Sequence, residues 1–141
     1  MRRRYVVDAS VAAQWYFPEE HTDVAESLLE IAKIELIAPD LLHVEMAALV
    51  RERVRRAEIE AGTAERILEA LRKAPIELKS ASDLAQHALS LTLGDQIGLS
   101  DAFYLTLAMQ AGCPMVTADR RLLDLLQDGP HARHVLWIGD L

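Results

Sequence analysis

Apolar positions along this chain alternate between two spacings. Short runs rich in β-branched residues read as strands: "YVV" ending at Asp8, "ELIAPD" at 35–40, "PIELKS" at 75–80, "PMVTAD" at 114–119 and "HVLWIGD" at 134–140. Between them the apolar residues fall at helical spacing. "SVAAQWYF" makes a turn or two stopped by Pro18, and "DVAESLLEIAK" repeats at Val24, Ala25, Leu28, Leu29 and Ala32. A long helix runs from Leu41 to about Ala57, and another, "TAERILEALRKA", opens on an imperfect capping box of Thr63 and Arg66. "SDLAQHALSLTL" is a helix up to Gly94, and "SDAFYLTLAMQAG" has Ser100 at its cap and Gly112 at its end. "DRRLLDLLQ" is closed by "DGP".

Strands alternating with helices favour a parallel sheet covered on both faces, because parallel neighbours need crossover connections. The expected fold is α/β: one domain over 1–141, a three-layer α/β/α sandwich with a central, mostly parallel sheet of four to five short strands. Ligands of such sheets bind beyond the carboxyl ends of the strands, so chemistry is to be sought just past strand ends.

Three acids fit that location, and a fourth, Asp101, joins them although a helix and not a strand precedes it. Asp8 ends the first strand, Asp119 follows "MVTA", Glu45 lies in the first turns after "LIAPD", and Asp101 opens an apolar helix. Singly, each aspartate also reads as a cap or turn residue. Glu45 is less ordinary, since "LLHVEMAALV" is otherwise apolar except for His43. With Leu41, Ala48 and Leu49 on its own face it is expected to point with the apolar stripe toward the sheet, and to find its partner in the interior or the crevice. Arg51 or Arg53 is the alternative answer.

Carboxylates that converge repel one another unless a cation is bound, and hard oxygen donors select magnesium or manganese. Zinc is disfavoured, because His21, His43, His87, His131 and His134 are scattered without ligand spacing and read as surface or structural residues. An acidic metal pocket suits phosphodiester hydrolysis.

Composition bounds the setting. The 141 residues are 51% hydrophobic and 26% charged, which suits a compact globular chain. A net charge of −7 repels polyanions, so nucleic acid would have to use local basic patches. Candidates are Arg2 to Arg4 before the first strand, Arg51 to Arg56, which also read as a solvated face, and Arg120 with Arg121 next to Asp119. The single Cys113 allows no internal disulfide, and neither an export signal nor a run of about eighteen apolar residues is found, so a cytoplasmic protein without membrane contact is expected.

"VVDAS", the Glu of "LLHVEMAAL" after "APD", "LSDAFYLTLA" and "MVTADRRL" resemble, in order and spacing over nearly the whole chain, the PIN domain, and most of all its VapC-type ribonuclease toxins. The resemblance implies a Mg2+- (or Mn2+-) dependent endoribonuclease acting on RNA, inhibited by a small antitoxin protein and working as a homodimer. It matches Asp8, Glu45, Asp101 and Asp119 to the family's acidic quartet, and Ser10 and Thr117 to its small hydroxyl positions beside the metal. Asp8 and Asp101 are then expected to hold the ion directly. Glu45 and Asp119 would act through water, a second ion or the attacking water.

The chain departs from the family at Ala47, Ala48 and Leu49, where many relatives carry a polar residue such as Asn. Asp95 reads as a solvated turn residue after Gly94, and Trp15, Tyr16 and Phe17 as either an interface with a partner or core. The alternatives are a PIN-like scaffold that binds RNA or a partner without cutting, and a phosphatase-like or response-regulator-like domain. The last would need a lysine after a later strand, and none occurs after Lys79.

Overall fold

The computed structural model describes residues 3–31 and 33–141. Along the chain it runs β1 (Arg3–Val7), α1 (Ala9–Ala13), α2 (Thr22–Glu30), β2 (Ile34–Pro39), α3 (Leu41–Arg55), α4 (Ala61–Lys73) and β3 (Ile76–Lys79). The second half runs α5 (Ala85–Gly94), α6 (Leu99–Ala111), β4 (Met115–Thr117), α7 (Arg120–Leu126) and β5 (Val135–Trp137). The five strands form one sheet in the order β3-β2-β1-β4-β5, every pair parallel.

Helices cover both faces, as the period-2 burial of the central strand requires. Tyr5 and Val7 of β1 point into a core shared with Val11, Leu28, Leu42, Met46, Val50, Ile67 and Leu71 from α1 to α4. Val6 points the other way, into a core with Ala88, Ala102, Leu105, Met115 and Leu122 from α5, α6, β4 and α7. The chain builds outward from β1 to β2 and β3 on one side and returns to place β4 and β5 on the other. The order therefore reverses between β1 and β4, and at such a switch point the two neighbouring loops part and leave a crevice.

Several expectations shift in detail. Gly98, not Ser100, is the N-cap of α6, because the helix begins two residues earlier than a Ser100 cap implies, at Leu99. Thr63 lies inside α4, whose N-cap is Glu60, and its hydroxyl accepts from Arg66 at 3.2 Å in place of capping. Arg3 and Arg4 belong to β1 itself, at its amino end and so at the opposite end of the sheet from the crevice; Arg2 lies outside the described residues, as does Ala32 of the expected second helix. Among the described residues no helix is long and apolar enough to cross a membrane.

Candidate active site

Asp8 leaves β1 at the switch point and becomes the N-cap of α1. Asp8 is 5% exposed, and its carboxylate accepts three hydrogen bonds, leaving one acceptor site on Oδ2 open. Oδ1 accepts from Ser10 Oγ at 2.5 Å and from the Val11 N–H at 3.1 Å, and Oδ2 accepts from Thr117 Oγ1 at 2.6 Å. The two hydroxyls are themselves fixed: Ser10 Oγ accepts from across the switch point, from the Ala118 N–H at 2.9 Å, and Thr117 Oγ1 accepts from the Asp119 N–H of its own strand end at 3.0 Å. This network ties the carboxyl end of β1 to that of β4. Asp119 in turn caps α7, its Oδ1 accepting from the Arg121 N–H at 3.0 Å and the Leu122 N–H at 3.3 Å.

Asp8, Ser10, Glu45, Asp101, Tyr104 and Asp119 line one cavity of about 150 Å³ together with Ala9. The acids from two strand ends and two helices are thus brought together as the sequence spacing suggested, although α6 and not a strand delivers Asp101. Glu45 is placed differently from expectation. The buried stripe of α3 is Leu42, Met46 and Val50, while Ala48 is exposed, so Glu45 sits half-buried beside the stripe and looks into the cavity instead of at the sheet. Its partner is neither Arg51 nor Arg53 but the hydroxyl of Tyr104, which donates to Glu45 Oε1 at 2.5 Å. Arg53 pairs with Glu58 at 3.1 Å and covers the buried ring of Phe17, and Arg56 pairs with Glu52 at 3.0 Å.

Tyr104 is the site residue that the sequence reading passed over. The available signal was its place three residues after Asp101, which puts both on one face of the helix, and the need of a buried phenol for an acceptor.

The electrostatics are those of crowded acids. Burial pushes the Asp8 carboxyl up to about 6, against the pull of its three hydrogen bonds, and Asp101 adds to the rise. Burial also raises Glu45 and Asp101, with Asp101 repelling the former and Asp119 the latter. The nearest cation among the described residues is Arg121, 78% exposed, whose guanidinium stands 4.0 Å from Asp101 Oδ2 and 3.9 Å from Asp119 Oδ2. Arg120 turns away and lies over the Trp137 ring, 4.2 Å from its centroid. Asp95 pairs with His131 at 3.3 Å and lines a separate cavity with Ile97 and Leu126, so it takes no part in this site.

A hard divalent cation fits this donor set. The donors are all oxygen, Asp8, Glu45 and Asp101 are held above their usual range chiefly by burial, and an arginine is drawn to Asp101 and Asp119. Among the described residues no three His, Cys, Asp or Glu side chains close into a ready ligand cage. Thr117→Val would remove both the donor to Asp8 and the acceptor of the Asp119 N–H.

A parallel α/β sheet with an acidic cavity at its switch point places this chain among the α/β proteins whose ligands bind beyond the carboxyl ends of the strands. Among these, this chain belongs to the PIN domain family, whose model matches residues 5–126. It is 32% identical over 123 residues to Ribonuclease VapC3 of Pyrobaculum aerophilum, covering 86% of this chain and 93% of that protein. The fold is similar to that of VapC20 of Mycobacterium tuberculosis, a Sarcin-Ricin loop cleaving toxin, with a TM-score of 0.63 at 15% identity over 81% of this chain and 87% of the other. It is also similar to a chain of a toxin-antitoxin complex from Klebsiella pneumoniae, with a TM-score of 0.64 at 14% identity over 94% and 95%.

Proposed function

We propose that this protein is a metal-dependent endoribonuclease that hydrolyses RNA phosphodiester bonds, the toxin of a VapC-type toxin-antitoxin pair. The observation that carries the reading is the cavity itself, in which four acids meet at the switch point of a PIN domain. The ribonuclease among its relatives supports the substrate class, and the toxin-antitoxin complex among its structural neighbours supports an antitoxin partner. A homodimer in the cytoplasm is part of the proposal.

In this reading Asp8 and Asp101 hold Mg2+ or Mn2+, and Glu45 and Asp119 act through water. A bound ion would lower the pKa of an attacking water and steady the leaving oxygen. Asp8 is kept in one orientation by Ser10, Thr117 and the α1 backbone, so its lone pairs are aimed before any ligand arrives. Glu45, raised by burial and half-open to the cavity, is placed to accept a proton from water. Arg121 is the basic residue nearest the chemistry and is assigned to a phosphate of the RNA. Arg120 is the weaker candidate because Trp137 holds it.

Arg121→Ala, in a cleavage-dead background, should weaken binding of all RNA sequences alike and lower the salt slope of binding by about 1. An unchanged slope in filter-binding titrations from low to high salt removes Arg121 from the interface. The function itself is tested by incubating purified, antitoxin-free protein with total RNA in Mg2+ or Mn2+ and in EDTA. Discrete, metal-dependent products are expected. A folded protein that binds RNA in EDTA and cuts none in either metal is instead a PIN-like scaffold.

A further inference from the structure

Glu45 reaches the cavity from α3 on a long side chain, and among the described residues the hydrogen bond that restrains its carboxylate comes from a different helix, through Tyr104 of α6. We propose that Tyr104 is a positioning residue of the active site, whose hydroxyl locks the Glu45 carboxylate so that Oε1 is engaged and Oε2 is left to face the cavity. The inference rests on the nuclease reading for the purpose of that carboxylate, but the lock itself is a matter of geometry.

Three observations carry it. Tyr104 is 1% exposed and its ring belongs to the core between the sheet and α5, α6 and α7, so the hydroxyl is delivered from a rigid base. Tyr104 also follows Asp101 by one helical turn, and both line the cavity, so α6 supplies one acid of the site and the restraint on another. Finally, the contact is direct and joins two helices, the Tyr104 hydroxyl of α6 donating at 2.5 Å to a carboxylate 59 residues away on α3. A phenyl side chain at this position would fill the space of the ring equally well. The hydroxyl adds nothing to packing that Phe lacks, and its acceptor is a residue of the site.

A purely structural tyrosine is distinguished by a double-mutant cycle with two readouts. Tyr104→Phe is made in the wild type and in Glu45→Gln, and each protein is assayed for RNA cleavage and, metal-free, titrated calorimetrically with Mn2+. The expected result in the wild-type background is a fall in kcat of about 10–100-fold with KM little changed, as for other outer partners of a metal site, and a weaker Mn2+ affinity. In Glu45→Gln the same substitution should add little to either loss, because residues acting through one another are not additive. Wild-type kcat and Mn2+ affinity in folded Tyr104→Phe, or equal losses in both backgrounds, overturn the proposal. Should the wild type cut no RNA, the nuclease reading fails while the Mn2+ arm still decides the role of Tyr104.

Discussion

Asp8→Asn is expected to abolish RNA cleavage and, in the same metal-free protein, to raise its stability above pH 7. The first effect follows from the place of Asp8 in the proposed site: partners of a metal ligand are worth about 10–100-fold, and a direct ligand should exceed that range. The second follows from the cost of holding a charge in the buried crevice. With the folded-state carboxyl near 6 against an ordinary value of 3.8, the native protein binds the proton more tightly than the unfolded chain. The contribution of Asp8 to stability is therefore fully present below about pH 3.8 and is lost as pH rises through 6. A gap of about two pH units corresponds to roughly 3 kcal/mol. Asparagine avoids that penalty while its Oδ1 still accepts from Ser10 and Val11 and its amide faces the Thr117 hydroxyl. Urea titrations of both proteins in EDTA at pH 4 and pH 8 check the sign: the variant should gain at pH 8 and lose that advantage at pH 4. Equal stabilities at pH 8 contradict the burial account, and retained cleavage removes Asp8 from the chemistry.

The wild-type protein, conversely, should recover the lost stability by binding metal. Mn2+ at about 100 times its Kd adds roughly 2.7 kcal/mol to the folded state, a rise of several degrees in Tm for a domain of this size. The gain should be larger at pH 8 than at pH 5, because at the lower pH a proton competes with the ion for Asp8. Removing the ion with EDTA should return the melt to its starting point and stop cleavage. A Tm that ignores Mn2+ at pH 8 would show that the acids gather without taking a cation. Function and stability pull in opposite directions at this site, as is common where charge is concentrated for catalysis.

The acids were readable because strand ends can be found locally. A β-branched run stopped by Asp8, and another reaching Asp119 through "VTA", put both at carboxyl ends with no knowledge of the partners, and the strand–helix alternation implied a parallel sheet whose ends are where ligands bind. Four acids in the family's order then sufficed to name candidate ligands. The long amphipathic helices, α3 and α4, were found for the same local reason. Fine boundaries were less legible: the start of α6 at Leu99 after Gly98 overrode the preference for Ser100 as a cap.

Side-chain direction was a different matter. Periodicity reports which side of a helix is wet only when one side is wet, and α6 buries Ala102, Tyr104, Leu105, Thr106, Leu107 and Ala108, nearly its whole circumference. Such a run puts Tyr104 on the face of Asp101 but does not show that its hydroxyl meets an acid 59 residues away. The stripe of α3 could be drawn through Leu41, Ala48 and Leu49 or through Leu42, Met46 and Val50, and only packing against the sheet and α4 selects the second and turns Glu45 into the cavity. Arg120 and Arg121 are equivalent as neighbours in sequence, yet successive helical positions diverge by about 100°, so one lies on Trp137 and the other reaches Asp101 and Asp119. The sequence by itself thus determined the elements, their order and the acids at strand ends, since these depend on contacts near in the chain. The tertiary structure decided what each of those acids faces, since that depends on which distant residue the packed core brings against it.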